Sequence, residues 1–124
     1  MNKAPDDAND FLFTRICELM ETPQLFLRSR LKLSDIAALL GVNSRYVSES
    51  IKTHRGCAFS QFVNSYRIDY VKQQLLKYPE KKIAAVALES GFANEISFYR
   101  TFKSLTGMTP REWLQMNVAN KDIP

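Results

Sequence analysis

Apolar residues recur at intervals near three and four in one segment after another, the spacing that gives a helix one buried face. Residues 10–21, DFLFTRICELME, set Leu12, Ile16 and Leu19 or Met20 on one side, with Phe13 and Cys17 beside them and Pro23 just past the end. That apolar face must cover either the segment that follows or a partner protomer. QLFLRSR, residues 24–30, reads as an extended connector. A short helix comes next, with Ser34 as its N-cap, Asp35 in the first turn where the helix dipole favours an anion, and Ile36, Ala37, Leu39 and Leu40 as its apolar side. Gly41 can end it in a left-handed conformation, and Asn43 or Ser44 can cap the helix after the turn. From Ser60 to Tyr78, closed by Pro79, Phe62, Val63, Tyr66, Ile68, Tyr70, Val71, Leu75 and Leu76 mark one long helix. At roughly 18 residues it would span about 27 Å.

The pattern on either side of this long helix is written twice. Aligning Gly41 with Gly91 sets IAALLGVNSRYVSESIK against VALESGFANEISFYRTFK, the second copy being longer by a single residue in the turn. Val47 then falls on Phe98, Ile51 on Phe102, Lys52 on Lys103, Gly56 on Gly107 and Phe59 on Pro110, while Glu49 falls on Arg100. The apolar matches keep helical spacing and the opposite face varies, so each copy predicts helix, tight turn, helix. In the second copy the first helix runs from about Lys82 to Ser90 and the next from near Asn94 to before Gly107, with a final short helix opened by Pro110 and holding Trp113 and Leu114. The expected architecture is all-α: two helix-turn-helix subdomains, residues 31–59 and 80–116, joined by a linker helix at 60–79. An extra N-terminal helix and connector occupy 1–30, and a tail 117–124.

Composition adds a direction. The 124 residues carry a net charge of +4, but residues 1–24 hold −3 and residues 25–124 hold +7. A basic body suits a polyanionic partner, and an acidic start would avoid it. No apolar run approaches the roughly 18 residues of a membrane span, and the opening MNKAPDDAND is not a secretory signal. This points to a cytoplasmic chain without membrane contact. Cys17 and Cys57 with the single His54 assemble neither a disulfide framework nor a zinc site.

The second copy, IAAVALESGFANEISFYRTFKSLTGMTPREW, closely resembles the AraC/XylS family of bacterial transcription regulators, with its IA-containing helix, GF turn, F-x-R-x-FK helix and TG-x-TP followed by an aromatic. The resemblance covers about Leu31 to Leu114, and in the first copy the family often has a basic residue and phenylalanine where Glu49 and Ile51 stand. It implies binding of double-stranded DNA at promoters through the second helix of each unit. By position, the implied base-facing residues are Arg45, Ser48 and Glu49 in the first unit and Glu95, Ile96, Tyr99 and Arg100 in the second. Ser44, Lys52, Asn94 and Lys103 are implied on the DNA backbone. Arg67, in the linker helix, suits structural hydrogen bonds or a phosphate better than a base. Arginine can bind guanine bidentately and glutamate can accept from the cytosine amino group, so the glutamates should discriminate rather than add affinity. Many relatives carry a sensing or dimerisation domain, and the abrupt acidic start suggests a part of a longer regulator.

Simpler readings compete at several positions. Phe92, Phe98, Phe102, Val47, Ile51 and Trp113 are core on almost any account. Lys81 and Lys82 read as a solvated loop, with backbone contact ahead of the second unit as the alternative. His54 and Cys57 have no acid placed to orient them, and no phosphate loop, metal cluster or carboxylate pair is present, so neither an enzyme nor a cofactor is expected. The rival function is a tandem helix-turn-helix that docks on RNA polymerase or a sensor domain through the 10–21 helix or the linker. Glu49 and Glu95 favour it by placing negative charge on both prospective DNA faces.

Overall fold

Capping side chains fix where several of the helices begin. The computed structural model describes residues 4–122, and among these it holds α1 (Ala4–Glu21), a 3-10 turn (Leu25–Leu27), α2 (Leu33–Leu40), α3 (Ser44–Arg55), α4 (Phe59–Lys77), α5 (Ile83–Glu89), α6 (Glu95–Thr106) and α7 (Pro110–Asp122), with no strand. No described helix is long and apolar enough to cross a membrane. Asn43 caps α3 by accepting from the Arg45 N–H at 2.9 Å, and Asn94 caps α6 by accepting from the Ser97 N–H at 2.8 Å. The Thr109 hydroxyl accepts from the Glu112 N–H at 3.1 Å while the Glu112 carboxylate accepts from the Thr109 N–H at 2.9 Å, a reciprocal cap on α7. These bonds to Thr109 hold the Glu112 carboxyl below its ordinary value.

Several expectations are corrected. The first short helix starts at Leu33, with Lys32 rather than Ser34 as N-cap, because the Asp35 carboxylate reaches back to accept from the Lys32 N–H at 2.9 Å. Leu39, expected on its apolar side, is 57% exposed. The connector is not extended: Leu25–Leu27 form a 3-10 turn that buries Leu25 and Phe26. α1 begins at Ala4 rather than near residue 10, and α7 continues to Asp122 through most of the expected tail. Residues 1–3 and 123–124 of the expected terminal segments lie outside the described residues.

The chain divides into two compact units, Met1–Val63 and Asn64–Pro124, with the boundary inside α4. In the first, α1 packs on α3 and α2. Its core is built from Ile16 and Met20 of α1, Leu25 and Phe26 of the turn, Ile36 and Ala37 of α2, Val47 and Ile51 of α3, and Phe62 and Val63. Ile16 and Met20 of the α1 face are therefore covered within its own unit, the first of the two alternatives posed by the 10–21 pattern. The second core comprises Ile68, Val71, Leu75, Val86, Ala87, Phe92, Phe98 and Phe102, with Ile83, Trp113 and Leu114 packed against it. Each fully buried large side chain in these sets contributes about 1.5–3 kcal/mol over exposure.

The turns differ in one respect. Gly41 itself caps α2 at φ 70°, whereas in the second unit Ser90 caps α5 and Gly91 follows at φ 100°. Both glycines occupy the left-handed region where a Cβ is strained. The extra residue of the second copy is thus absorbed between α5 and α6, and the buried Ser90 hydroxyl is satisfied by donating to the Val86 carbonyl at 2.6 Å.

Candidate nucleic-acid interface

In α3, Val47, Ser50 and Ile51 are buried and His54 half-buried on the inner face, and at a helical period this leaves Arg45, Ser48, Glu49 and Lys52 together on the opposite side, all exposed. In α6 the inner face is Phe98 and Phe102, and Ile96, Tyr99, Arg100 and Lys103 form the equivalent outer stripe, all exposed. Each unit thus presents residues i, i+3, i+4 and i+7 of its second helix to solvent, on a helix whose start is fixed by an asparagine and whose stop is fixed by a glycine at positive φ. Of the two predicted helix starts, Glu95 is exposed and Ser44 half-buried. The Asn94 oxygen is occupied by its cap, and its amide N–H groups remain to donate outward.

The two stripes differ in electrostatics. Arg45 and Glu49 pair with each other at 3.7 Å across one turn, with side chains 74% and 62% exposed. An exposed pair of this kind contributes only about 0.3–0.5 kcal/mol to the helix, so a stronger acceptor can draw the guanidinium away. Arg100, at the position matching Glu49, has no ion-pair partner among the described residues. The Arg45 guanidinium also lies 5.8 Å from the ring centre of Tyr46.

Tyr46 is a residue that sequence reasoning missed. It is 54% exposed and, with Phe11, Leu12, Leu40 and Val42, lines a groove of about 680 Å³ in the first unit that Glu49 and Lys52 also border. An aromatic one residue from the buried Val47 reads as packing, so no local signal marked it. A second cleft of about 470 Å³ brings Lys82 and Arg111 beside Tyr99, Thr109 and Pro110 in the second unit. This separates the Lys81–Lys82 pair. Lys81 donates to the Glu89 carboxylate at 2.8 Å, which raises its pKa, while Lys82 is exposed at the cleft.

Arg67 is half-buried in the second unit, with its guanidinium 5.9 Å from the Phe92 ring centre and donating to the Asn64 side-chain oxygen at 3.3 Å. Burial lowers its pKa.

His54 has the acid partner that sequence spacing did not reveal. Its Nε2 lies 2.7 Å from Asp10 Oδ1 on α1, its Nδ1 2.8 Å from the Ser50 carbonyl, and its ring stacks on Phe13 with centroids 4.4 Å apart. Both partners are acceptors, so the arrangement is complete only when both ring nitrogens carry protons, and the Asp10 and Ser50 bonds raise the pKa accordingly. With both nitrogens engaged, the ring is not placed to activate Cys57. Among the described residues no group of three or more His, Cys, Asp or Glu side chains gathers as a metal site.

Residues 19–116 match the family described as a helix-turn-helix domain. The chain is similar to the crystal structure of a transcriptional regulator from Chromobacterium violaceum, described among AraC-type DNA-binding domain-containing proteins: TM-score 0.75, 26% identity, covering 95% of this chain and 98% of that one. It also has the fold of the C-terminal domain of AraT, a response regulator from Geobacillus stearothermophilus, at TM-score 0.73 and 24% identity, covering 85% of this chain and 84% of that one. A Staphylococcus aureus protein known as an uncharacterised HTH-type transcriptional regulator is 31% identical over 105 residues, which is 85% of this chain and 14% of that protein. The chain thus spans about one-seventh of the length of the curated relative it matches.

Proposed function

The chain belongs to the AraC-type helix-turn-helix family of DNA-binding transcription regulators, and from that membership we propose that it reads a specific double-stranded site with α3 and α6 in successive major grooves. The observation that carries this reading is the pair of matched outer stripes, Arg45–Ser48–Glu49–Lys52 and Ile96–Tyr99–Arg100–Lys103, each turned away from a buried face on a capped helix. Guanine is the partner of Arg45 and Arg100, and the cytosine amino group that of Glu49 and Glu95. Ser48, Ile96 and Tyr99 complete the base-facing sets. Ser44, Lys52, Asn94 and Lys103 engage phosphates, joined in the second unit by Lys82 and Arg111 at the cleft beside Tyr99. Arg67, whose guanidinium lies beside the Phe92 ring, combines packing with a phosphate contact.

The protein acts as the DNA-binding part of a longer regulator, a reading supported by the small share of its Staphylococcus aureus relative that it spans. A sensing or dimerisation domain and RNA polymerase are the partners such a regulator would use. The rival, docking on those proteins without reading DNA, loses the part of the α1 face formed by Ile16 and Met20, which is buried in the first unit.

Binding measured by fluorescence anisotropy on a site-bearing and a scrambled duplex over a range of salt tests the proposal. Affinity should fall steeply with salt, since each phosphate contact adds about 0.9 to the logarithmic slope. Arg100→Ala should weaken the site-bearing duplex by about 1–3 kcal/mol and the scrambled one little, whereas Lys103→Ala should weaken both alike. Equal losses on both duplexes for Arg100→Ala would remove its base-reading role, and salt-insensitive binding would favour the docking rival.

A further inference from the structure

Ile96 is 72% exposed, the most exposed large hydrophobic side chain among the described residues. Its isolation follows from the helix on which it stands. Asn94 fixes the first turn of α6, and the packing of Phe98 and Phe102 into the core turns the opposite side of the helix, where Ile96 lies, toward water. One turn further on that side stands Arg100, and beyond it Lys103, both exposed. An apolar side chain in line with two cations suits a surface that is anionic at its edges and carries an apolar group between them. The major groove is such a surface, and its apolar group is the C5-methyl of thymine.

We propose that Ile96 sets base preference at its position by packing against a thymine methyl group. The inference rests on the major-groove reading of α6 given above and adds the chemical group that is read. Isoleucine suits the task because branching at Cβ restricts χ1 in a helix, so its methyl groups are held in place before binding and little freedom is lost. The same position in the first unit, at the offset that matches Val47 with Phe98, is Arg45, a cation with an affinity for guanine rather than for a methyl group. The two units therefore read different base chemistry at equivalent positions of one scaffold.

The test uses the duplex that the full chain enriches from a random-sequence library, remade with deoxyuridine in place of thymine at single positions, a change that removes only the methyl group. At one thymine in the block read by α6, wild-type binding should weaken about three- to tenfold, the scale of one methyl group left without its apolar partner. Ile96→Ala should weaken the thymine duplex by a similar factor and erase the difference between thymine and deoxyuridine there. Ile96→Val should keep most of that difference. Far-UV circular dichroism and melting temperature of both variants should match the wild type, as the side chain lies outside the core. Indifference of the wild type at every thymine of the block, a block without thymine, or a difference that survives in Ile96→Ala would overturn the proposal. If instead no site is enriched, or Arg100→Ala leaves base preference untouched, the groove reading of α6 fails and this inference with it.

Discussion

The two units solve the same packing problem with different chemistry. The first is largely aliphatic around α3, where Val47 and Ile51 are fully buried, and it ties α1 to α3 with a polar set, Asp10, His54 and Ser50, under the Phe13 ring. The second is aromatic at the matching positions. Phe98 meets Phe92 edge-on at 5.3 Å between ring centres and Phe102 at 5.8 Å, and Phe102 meets Trp113 edge-on at 6.0 Å. The outer faces diverge as well: a self-paired Arg45–Glu49 in one, and in the other an apolar residue and an arginine with no ion-pair partner among the described residues. What is held constant is the frame, an asparagine at the start of the recognition helix, a glycine at its end, and a following helix capped from its third residue. Gln61 accepts from the Ala58 N–H at 3.0 Å just as Glu112 accepts from the Thr109 N–H at 2.9 Å. A duplicated scaffold can thus keep its backbone while core and reading surface drift independently.

The largest effects expected from breaking this comparison lie in the cores. Phe102→Ala should cost about 3–5 kcal/mol and Ile51→Ala about 2–5 kcal/mol. Hydrogen exchange should show each loss centred in its own unit, Asn64 onward for Phe102 and before it for Ile51. Exchange that rises equally in both units for either variant would mean that the division at Val63 has no energetic counterpart.

Next in size are the reading faces. Glu49→Gln frees Arg45 and removes a negative charge from the α3 face, so non-specific duplex binding should strengthen about three- to tenfold at low salt while discrimination at the first block declines. Arg100→Ala should also lower discrimination, at the second block, but by weakening the site-bearing duplex while non-specific binding changes little. Unchanged affinity and preference for Glu49→Gln in a binding titration would show that α3 does not meet DNA through this face.

The smallest expected effect is the pH dependence of the α1–α3 tie. The His54 ring faces the Asp10 carboxylate from α1 and, on its own helix, the Ser50 carbonyl and the Arg55 guanidinium; the first two raise its pKa and Arg55 opposes them. A histidine whose folded pKa is raised stabilises the fold fully below its unfolded value of about 6.5 and loses that contribution as pH rises through the folded value. Urea unfolding of wild type and His54→Gln across pH 5 to 8 should show a gap that is widest at the acid end and narrows upward. A gap independent of pH would leave only the ring stacking on Phe13.

The legibility of these features follows from their range along the chain. The second unit was readable because its boundaries and core lie within a few residues of one another: Asn94, Phe98, Phe102, Gly107 and Pro110 signal cap, face and stop at local spacing. The start of α1 was hidden because APDDAN contributes no apolar period, and Leu25 and Phe26 form too short a turn for any period to show. Lys32 displaced Ser34 as N-cap through a backward reach of Asp35, a choice between two adjacent capping patterns that the sequence leaves balanced. The Asp10–His54 bond spans 44 positions and leaves no mark in local spacing. For the interface, the outer stripes were legible as the complement of the buried faces. The Arg45–Glu49 pair, the exposure of Tyr46 and the cleft between Lys82 and Arg111 required side-chain positions.

Selection of bound duplexes from a random-sequence library with the purified chain, followed by sequencing, tests the two-helix reading most directly. If both recognition helices read bases, the enriched motif holds two blocks whose centres lie about 10 base pairs apart, one for each helix. A library that emerges without enrichment would contradict that reading.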